Sequence, residues 1–192
     1  MTFVGNTAYH LQAMLILLGS SICFIIYPAD GVIGTVLANG SLSVQTGGEG
    51  NIRMNMVNDD VVECIVSMPS QLFYSVTIPV SLWIMRKKKN QNTKGKVLFI
   101  NAENLGHMID RRIRELSDND ISEIVQTYHN WRNGTNYKDV IAFCKEATID
   151  DIKEKDFILT PARYVGRKEL ANDTEWPHRS AKIADLLKEQ VF

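Results

Sequence analysis

The sequence predicts an α/β layer fold. Between residues 32 and 100, short apolar, β-branched runs alternate with one short helical pattern, and turn residues separate them. Beyond residue 116, capping patterns introduce helices instead. With 192 residues, 45% of them hydrophobic, the chain is long enough to bury one core of good size.

The first predicted strand is 32–38 (VIGTVLA), which Asn39, Gly40 and Ser41 close with a turn. A glycine-rich loop, TGGEG, follows at 46–50, and Ile52, Met56 and Val57 then fall on one face of a short helix. A second strand, 61–68 (VVECIVSM), stops at Pro69, and a third occupies 78–85 (IPVSLWIM). Residues 86–96 carry six positive charges and no acid. Two readings stand: a solvated hairpin loop, or contact with a phosphate backbone. Because 97–100 (VLFI) begins a fourth strand, this basic loop joins two strands rather than two domains.

The C-terminal half is expected to be helical. Ser117 and Asp120 form a capping-box pattern ahead of Ile121, Ile124, Val125, Tyr128 and Trp131, and Gly134 supplies the stop. Thr148 and Asp151 repeat the pattern before Ile149 and Ile152, and Pro161 leaves ARYVG as an irregular connection. Residues 180–191 form an amphipathic helix, with Ile183, Ala184, Leu186 and Leu187 on one face; it packs on its own domain or docks another subunit.

Residues 11–27 make a 17-residue run without a charge, interrupted by Gly19, Ser20 and Ser21. A bilayer span needs ~20 apolar residues, and a signal peptide needs a basic start that is missing before Arg53. A membrane segment, a buried helix and strand, and a segment that is not native-like remain as readings, and the expectation is a cytoplasmic protein without a membrane partner. Cys23, Cys64 and Cys144 are odd in number and never paired as C-x-x-C, which fits reduced thiols. His10, His107, His129 and His178 share no ligand spacing, so no metal is expected. With 21 basic against 22 acidic residues, net charge argues neither for nor against nucleic acid.

Chemistry is sparse. The P-loop, H-E-x-x-H and G-x-S-x-G patterns are all missing from the sequence. GGEGN at 47–51 precedes a helix but lacks the strand–GxGxxG context, so it reads as a turn. Asp59–Asp60 and Asp150–Asp151 sit at helix ends, where acids are ordinary. The loop Gln71-Leu72-Phe73-Tyr74-Ser75 is more informative. Two adjacent aromatics there cannot both face the core; an exposed ring can stack on a base or cover a core edge.

Several longer stretches, taken in order, carry a resemblance: DGVIGTVLANGSLS at 30–43 with TGGEGNIR at 46–53, then 59–85, 94–124 and 148–166. Together they resemble the modification subunits of type I restriction–modification systems, which are DNA-adenine methyltransferases. The resemblance covers about residues 30–166 and implies a Rossmann-like, S-adenosylmethionine-dependent methyltransferase sheet, mixed but mostly parallel, with helices on both faces. The strands above would be its later half, including the antiparallel pair at the far edge, followed by a helical C-terminal region. The implied division is an atypical apolar segment at 1–29, a partial methyltransferase sheet at 30–100, a helical extension at 101–166, and a tail at 167–192.

By the same resemblance, Phe73 stands where related enzymes place a ring against the flipped adenine, flanked by Gln71 and Tyr74. Lys87, Lys88 and Arg111, with Arg112 and Arg114, would face DNA in the full assembly, the alternative for the three arginines being an ordinary solvated helix face; the partners would be DNA and the specificity and restriction subunits. This sequence departs from the family in two places. It contains no Asn-Pro-Pro, whose family role is to accept the hydrogens of the adenine amino group, and no strand–acidic–Gly-x-Gly cofactor loop. Only GNTAY at 5–9 is similar to the family segment just after the catalytic motif, and the family pattern resumes at Asp30-Gly31. The expectation is therefore a frameshifted or truncated chain with no catalytic residues, binding no cofactor and inactive alone. Its first strand would lack a neighbour and leave a marginally stable or self-associating sheet edge. The alternative is a non-catalytic remnant that binds the specificity subunit.

Overall fold

A computed structural model describes residues 31–74 and 77–167. Seven strands occur there: β1 (Val32–Ala38), β2 (Val62–Ser67), β3 (Val80–Arg86), β4 (Lys96–Asn101), β5 (His107–Met108), β6 (Arg114–Glu115) and β7 (Cys144–Thr148). The α-helices are α1 (Glu49–Asn58), α2 (Asp118–Asn133), α3 (Ile149–Glu154) and α4 (Ala162–Val165). Five strands form one mixed sheet in the order β1-β3-β2-β4-β7, while β5 and β6 form a separate hairpin. β2 runs parallel to β4 and antiparallel to β3; β1 and β7 pair antiparallel at the two ends. The apolar run at 11–27 and the tail helix at 180–191 lie outside the described residues.

Every residue of β2 is buried, as a strand covered on both faces requires. Strand period then sorts the side chains of β4: Val97 and Phe99 face one core layer with Met56 and Val57 of α1, Ile152 of α3 and Leu159. Leu98 and Ile100 face the other, with Cys64, Trp131 and the partly buried Ile124 and Tyr128 of α2. The short helix α4 stacks Tyr164 flat on Phe99, with ring centroids 3.8 Å apart. Both predicted capping boxes form: the Ser117 and Thr148 hydroxyls accept from the amides of Asp120 and Asp151, and each carboxylate accepts in return. Gly134 ends α2 with φ 67°.

Three local readings change. The basic segment is no hairpin loop, because β3 and β4 lie on opposite sides of β2 and the chain must cross that strand's end. The region expected to be helical also supplies the edge strand β7 and the β5–β6 hairpin. Residues 162–165, expected to be irregular, form a single helical turn that buries Tyr164 and Val165. Among the described residues β1 pairs on one side only, and Val32 and Val36, which share one of its faces, are about half exposed.

One carboxylate ties these layers together. Glu63 is fully buried in β2, between apolar neighbours. Arg86 Nε from β3 donates to both of its oxygens at 3.0 and 2.9 Å, and the Tyr128 hydroxyl of α2 donates to Oε2 at 2.7 Å. Arg132 Nε adds charge at 3.8 Å. Burial, with Glu63 alongside, pushes the Tyr128 hydroxyl up to about 12, so it remains a donor at neutral pH.

Arg86→Met strands a buried carboxylate and is expected to cost about 3 kcal/mol in urea unfolding, whereas Glu63→Leu with Arg86→Met returns most of that loss. At the helix start, hydrogen bonds from the Ser117 hydroxyl and backbone hold the Asp120 carboxyl below the usual 3.8. Its stabilisation is present above that value and disappears as pH falls through the lowered one. Ser117→Ala should therefore cost about 1 kcal/mol at neutral pH and flatten the acid limb of a stability–pH curve.

Candidate nucleic-acid interface

β2 and β4 end side by side, and β3 begins at the same end of the sheet. There the Met68 amide donates to Val80 O at 2.8 Å, closing the base of loop 68–79, and the Ala102 amide donates to Ser67 O at 2.9 Å. The loop cannot tuck its apolar side chains into a sheet already covered on both faces. Phe73 is 45% exposed, Tyr74 88% and Ile78 54%. Gln71, half-buried, takes a left-handed φ of 66°, which turns the chain outward just before Phe73.

The β5–β6 hairpin stands against this loop. The Arg114 amide donates to Gln71 O at 2.9 Å, joining hairpin and loop through their backbones. The Arg114 guanidinium donates through one nitrogen to Leu105 O and Gly106 O, at 3.1 and 3.2 Å, so its work is at the base of the hairpin. Gly106 has φ +78°, and a Cβ there would lie 2.5 Å from Glu115 O. At the tip, Asp110 Oδ1 accepts from the amides of Arg112 and Ile113, and the Ile109 amide donates to Ile113 O. Arg111 and Arg112 are exposed and make no ion pair among the described residues.

The other predicted cations are elsewhere. Lys87 and Lys88 are exposed just beyond β3, at the opposite end of the sheet from Phe73, about 20 Å away for a strand of this length. Their neighbours in the charge run are already engaged. Lys89 Nζ sits against Asp60 Oδ1 and Lys96 O, both at 2.6 Å, and burial lowers its pKa. Lys96 pairs with Glu146 at 2.8 Å, and Arg86 with Glu63. The structure thus groups Gln71, Phe73, Tyr74 and Arg111 at one edge and leaves Lys87 and Lys88 apart. Sequence reasoning missed two engaged groups, Glu63 and Arg53. Glu63 had a signal, since an acid inside an apolar strand needs a buried partner. Arg53, which donates to the carbonyls of Ser41, Val44 and Phe157, had none.

A sheet of this kind is known from other proteins. The N-6 DNA Methylase family profile matches residues 22–173. The chain belongs to that family. It is 44% identical over 162 residues to the type I restriction enzyme HindI methylase subunit of Haemophilus influenzae, covering 84% of this chain and 36% of that one. It is 45% identical over 141 residues to the MjaIX methylase subunit of Methanocaldococcus jannaschii, covering 72% and 25%. Among solved structures it superposes on a type I restriction-modification methyltransferase subunit from Streptococcus thermophilus with TM-score 0.62 and 26% identity, over 72% of this chain and 27% of that one. The type I restriction enzyme EcoKI M protein, 12% identical, shares the fold at TM-score 0.56 over 84% of this chain and 40% of its own. The chain therefore spans about a third or less of the curated relatives it matches.

Gly47 and Gly48, with φ 69° and 86°, turn the chain into α1, and the flanking Gln45 donates to Asp156 O instead of facing a ligand. An open recess of about 440 Å³ beside them is lined by Gln45, Met54 and Phe157 and does not include Phe73. No helix among the described residues is long and apolar enough to cross a membrane, and no cluster there could hold a metal ion.

Gly106→Ala tests whether hairpin and loop form one unit. The clash with Glu115 O should open the hairpin, so that the Arg114 amide exchanges with solvent markedly faster. The amides of β2 and β4 should keep their protection.

Proposed function

We propose that this chain forms the base-accepting edge of a type I restriction–modification adenine methylase. The observation that carries the reading is the exposed Phe73–Tyr74 pair, held at a strand end by a backbone-bonded hairpin in a chain of this family. Phe73 receives the flipped adenine by stacking, and Gln71 and Tyr74 flank it. In the whole enzyme S-adenosylmethionine supplies the methyl group to the adenine amino nitrogen. This chain, which holds no Asn-Pro-Pro and no strand–acidic–Gly-x-Gly loop, contributes the stacking face and DNA contacts and is inactive alone. DNA and the specificity and restriction subunits are its partners, in the cytoplasm. Lys87 and Lys88 meet the same duplex further along, since about 20 Å corresponds to roughly six base pairs.

A second reading has one observation in its favour. Ile121 and Val125 lie one turn apart on the outer face of α2 and are both exposed, as are Val140 and Ile141. That surface suits a remnant that docks on the specificity subunit without catalysis.

Calorimetry with S-adenosylmethionine and the chain alone should show no binding; micromolar affinity would contradict the proposed inactivity. The stacking role is read with a duplex carrying 2-aminopurine opposite an abasic site. Its fluorescence should be quenched on binding, and Phe73→Ala should weaken binding about tenfold and restore emission. Equal quenching by the variant would remove Phe73 from the role and favour the docking remnant.

A further inference from the structure

The tip of the β5–β6 hairpin combines features that a surface turn has no structural need for. Ile109 is 51% exposed and Met108 40%. Arg111 and Arg112 project beside them without a counter-charge among the described residues. The tip is nevertheless stiff: Asp110 caps two of its amides, and Arg114 and Gly106 fix its base. Its position is tied to the aromatic loop. Phe73 lies two residues beyond Gln71, whose carbonyl takes the Arg114 amide, and Ile109 bonds to Ile113, the residue before Arg114.

We propose that this hairpin is a DNA wedge: Ile109, backed by Met108, enters the stack vacated by the displaced adenine, while Arg111 and Arg112 hold the flanking phosphates. The inference rests on the reading of the Phe73 loop as the base-accepting edge. Two physical arguments single out DNA as the occupant. An exposed apolar side chain gains most where a base has left an unstacked gap, and stiffness lowers the cost of inserting it. Two guanidinium groups with no carboxylate partner complement adjacent phosphates, whereas a protein surface would have to supply acids to match them. A base held out on Phe73 and a gap filled by Ile109 are two halves of one exchange, and the Gln71–Arg114 hydrogen bond keeps them in register.

The test uses the full chain and two duplexes, one intact and one with 2-aminopurine opposite an abasic site, titrated across a range of salt. Arg111→Ala/Arg112→Ala should weaken both duplexes and reduce the slope of log affinity against log salt by about 1.8, the value for two phosphates. Ile109→Ser should leave that slope unchanged and remove the chain's preference for the gapped duplex, a change of about tenfold. Circular dichroism and melting controls should match the parent chain, because all three side chains are exposed.

If both hairpin variants bind like the parent while Phe73→Ala still loses its quenching, the wedge is wrong and the base-stacking role stands. If the parent chain itself neither binds nor quenches at low salt, both fall. Unchanged DNA titrations combined with lost binding to a specificity subunit would make the hairpin a protein contact and overturn the wedge.

Discussion

A carboxylate with no access to water decides how this sheet is assembled. Glu63 is the second residue of a six-residue strand with every position buried, and an isolated charge there would cost several kcal/mol. Only an arrangement that places β3 beside β2, and α2 across both, brings Arg86 and Tyr128 to its oxygens. The apolar residues of β2 would tolerate other neighbours; the acid does not. The cluster therefore adds specificity where hydrophobic burial gives only attraction.

That constraint also places the aromatic loop. With β3 antiparallel to β2, the chain leaving Ser67 must turn back at the same end of the sheet where β4 also finishes. The faces above and below are filled by the α1 and α2 layers, so the loop has only solvent to project into. Phe73 and Tyr74 are exposed for a topological reason before they are exposed for a functional one. The hairpin after β4 emerges from the neighbouring strand and meets the loop at Gln71, which makes a rigid edge from two segments that are distant in sequence.

Much of this was legible in the residues. The four apolar strands of the main sheet, the glycine turn into α1 and both capping boxes are local signals, and each formed where its residues stand. β7 was not legible, because Cys144–Thr148 (CKEAT) is short, polar and at an edge, with only Cys144 and Ala147 facing inward. The hairpin of β5 and β6 was hidden for a related reason: two-residue strands have no period to read. Charge misled in a different way. A run of basic residues looks uniform in sequence, but Asp60, Glu63 and Glu146 had already claimed Lys89, Arg86 and Lys96, and those partners come from β2 and its preceding turn and from β7. Only the fold says which cations are left over.

Part of what is left over gathers on the loop and the hairpin, while Lys87, Lys88, Ile121 and Val125 lie elsewhere. Arg114 is absorbed into the hairpin base, while Arg111 and Arg112, three and two residues earlier, are not. Phe73, Tyr74, Ile78, Met108 and Ile109 all remain exposed at one edge of a molecule whose two core layers are otherwise well filled. Scattered exposed apolar residues need no explanation, but a concentration on two segments locked together by a backbone hydrogen bond does. In a chain belonging to the N-6 DNA methylases, the ligand we propose for flat rings, an aliphatic tip and unpaired guanidinium groups together is a nucleic acid with a base out of its stack.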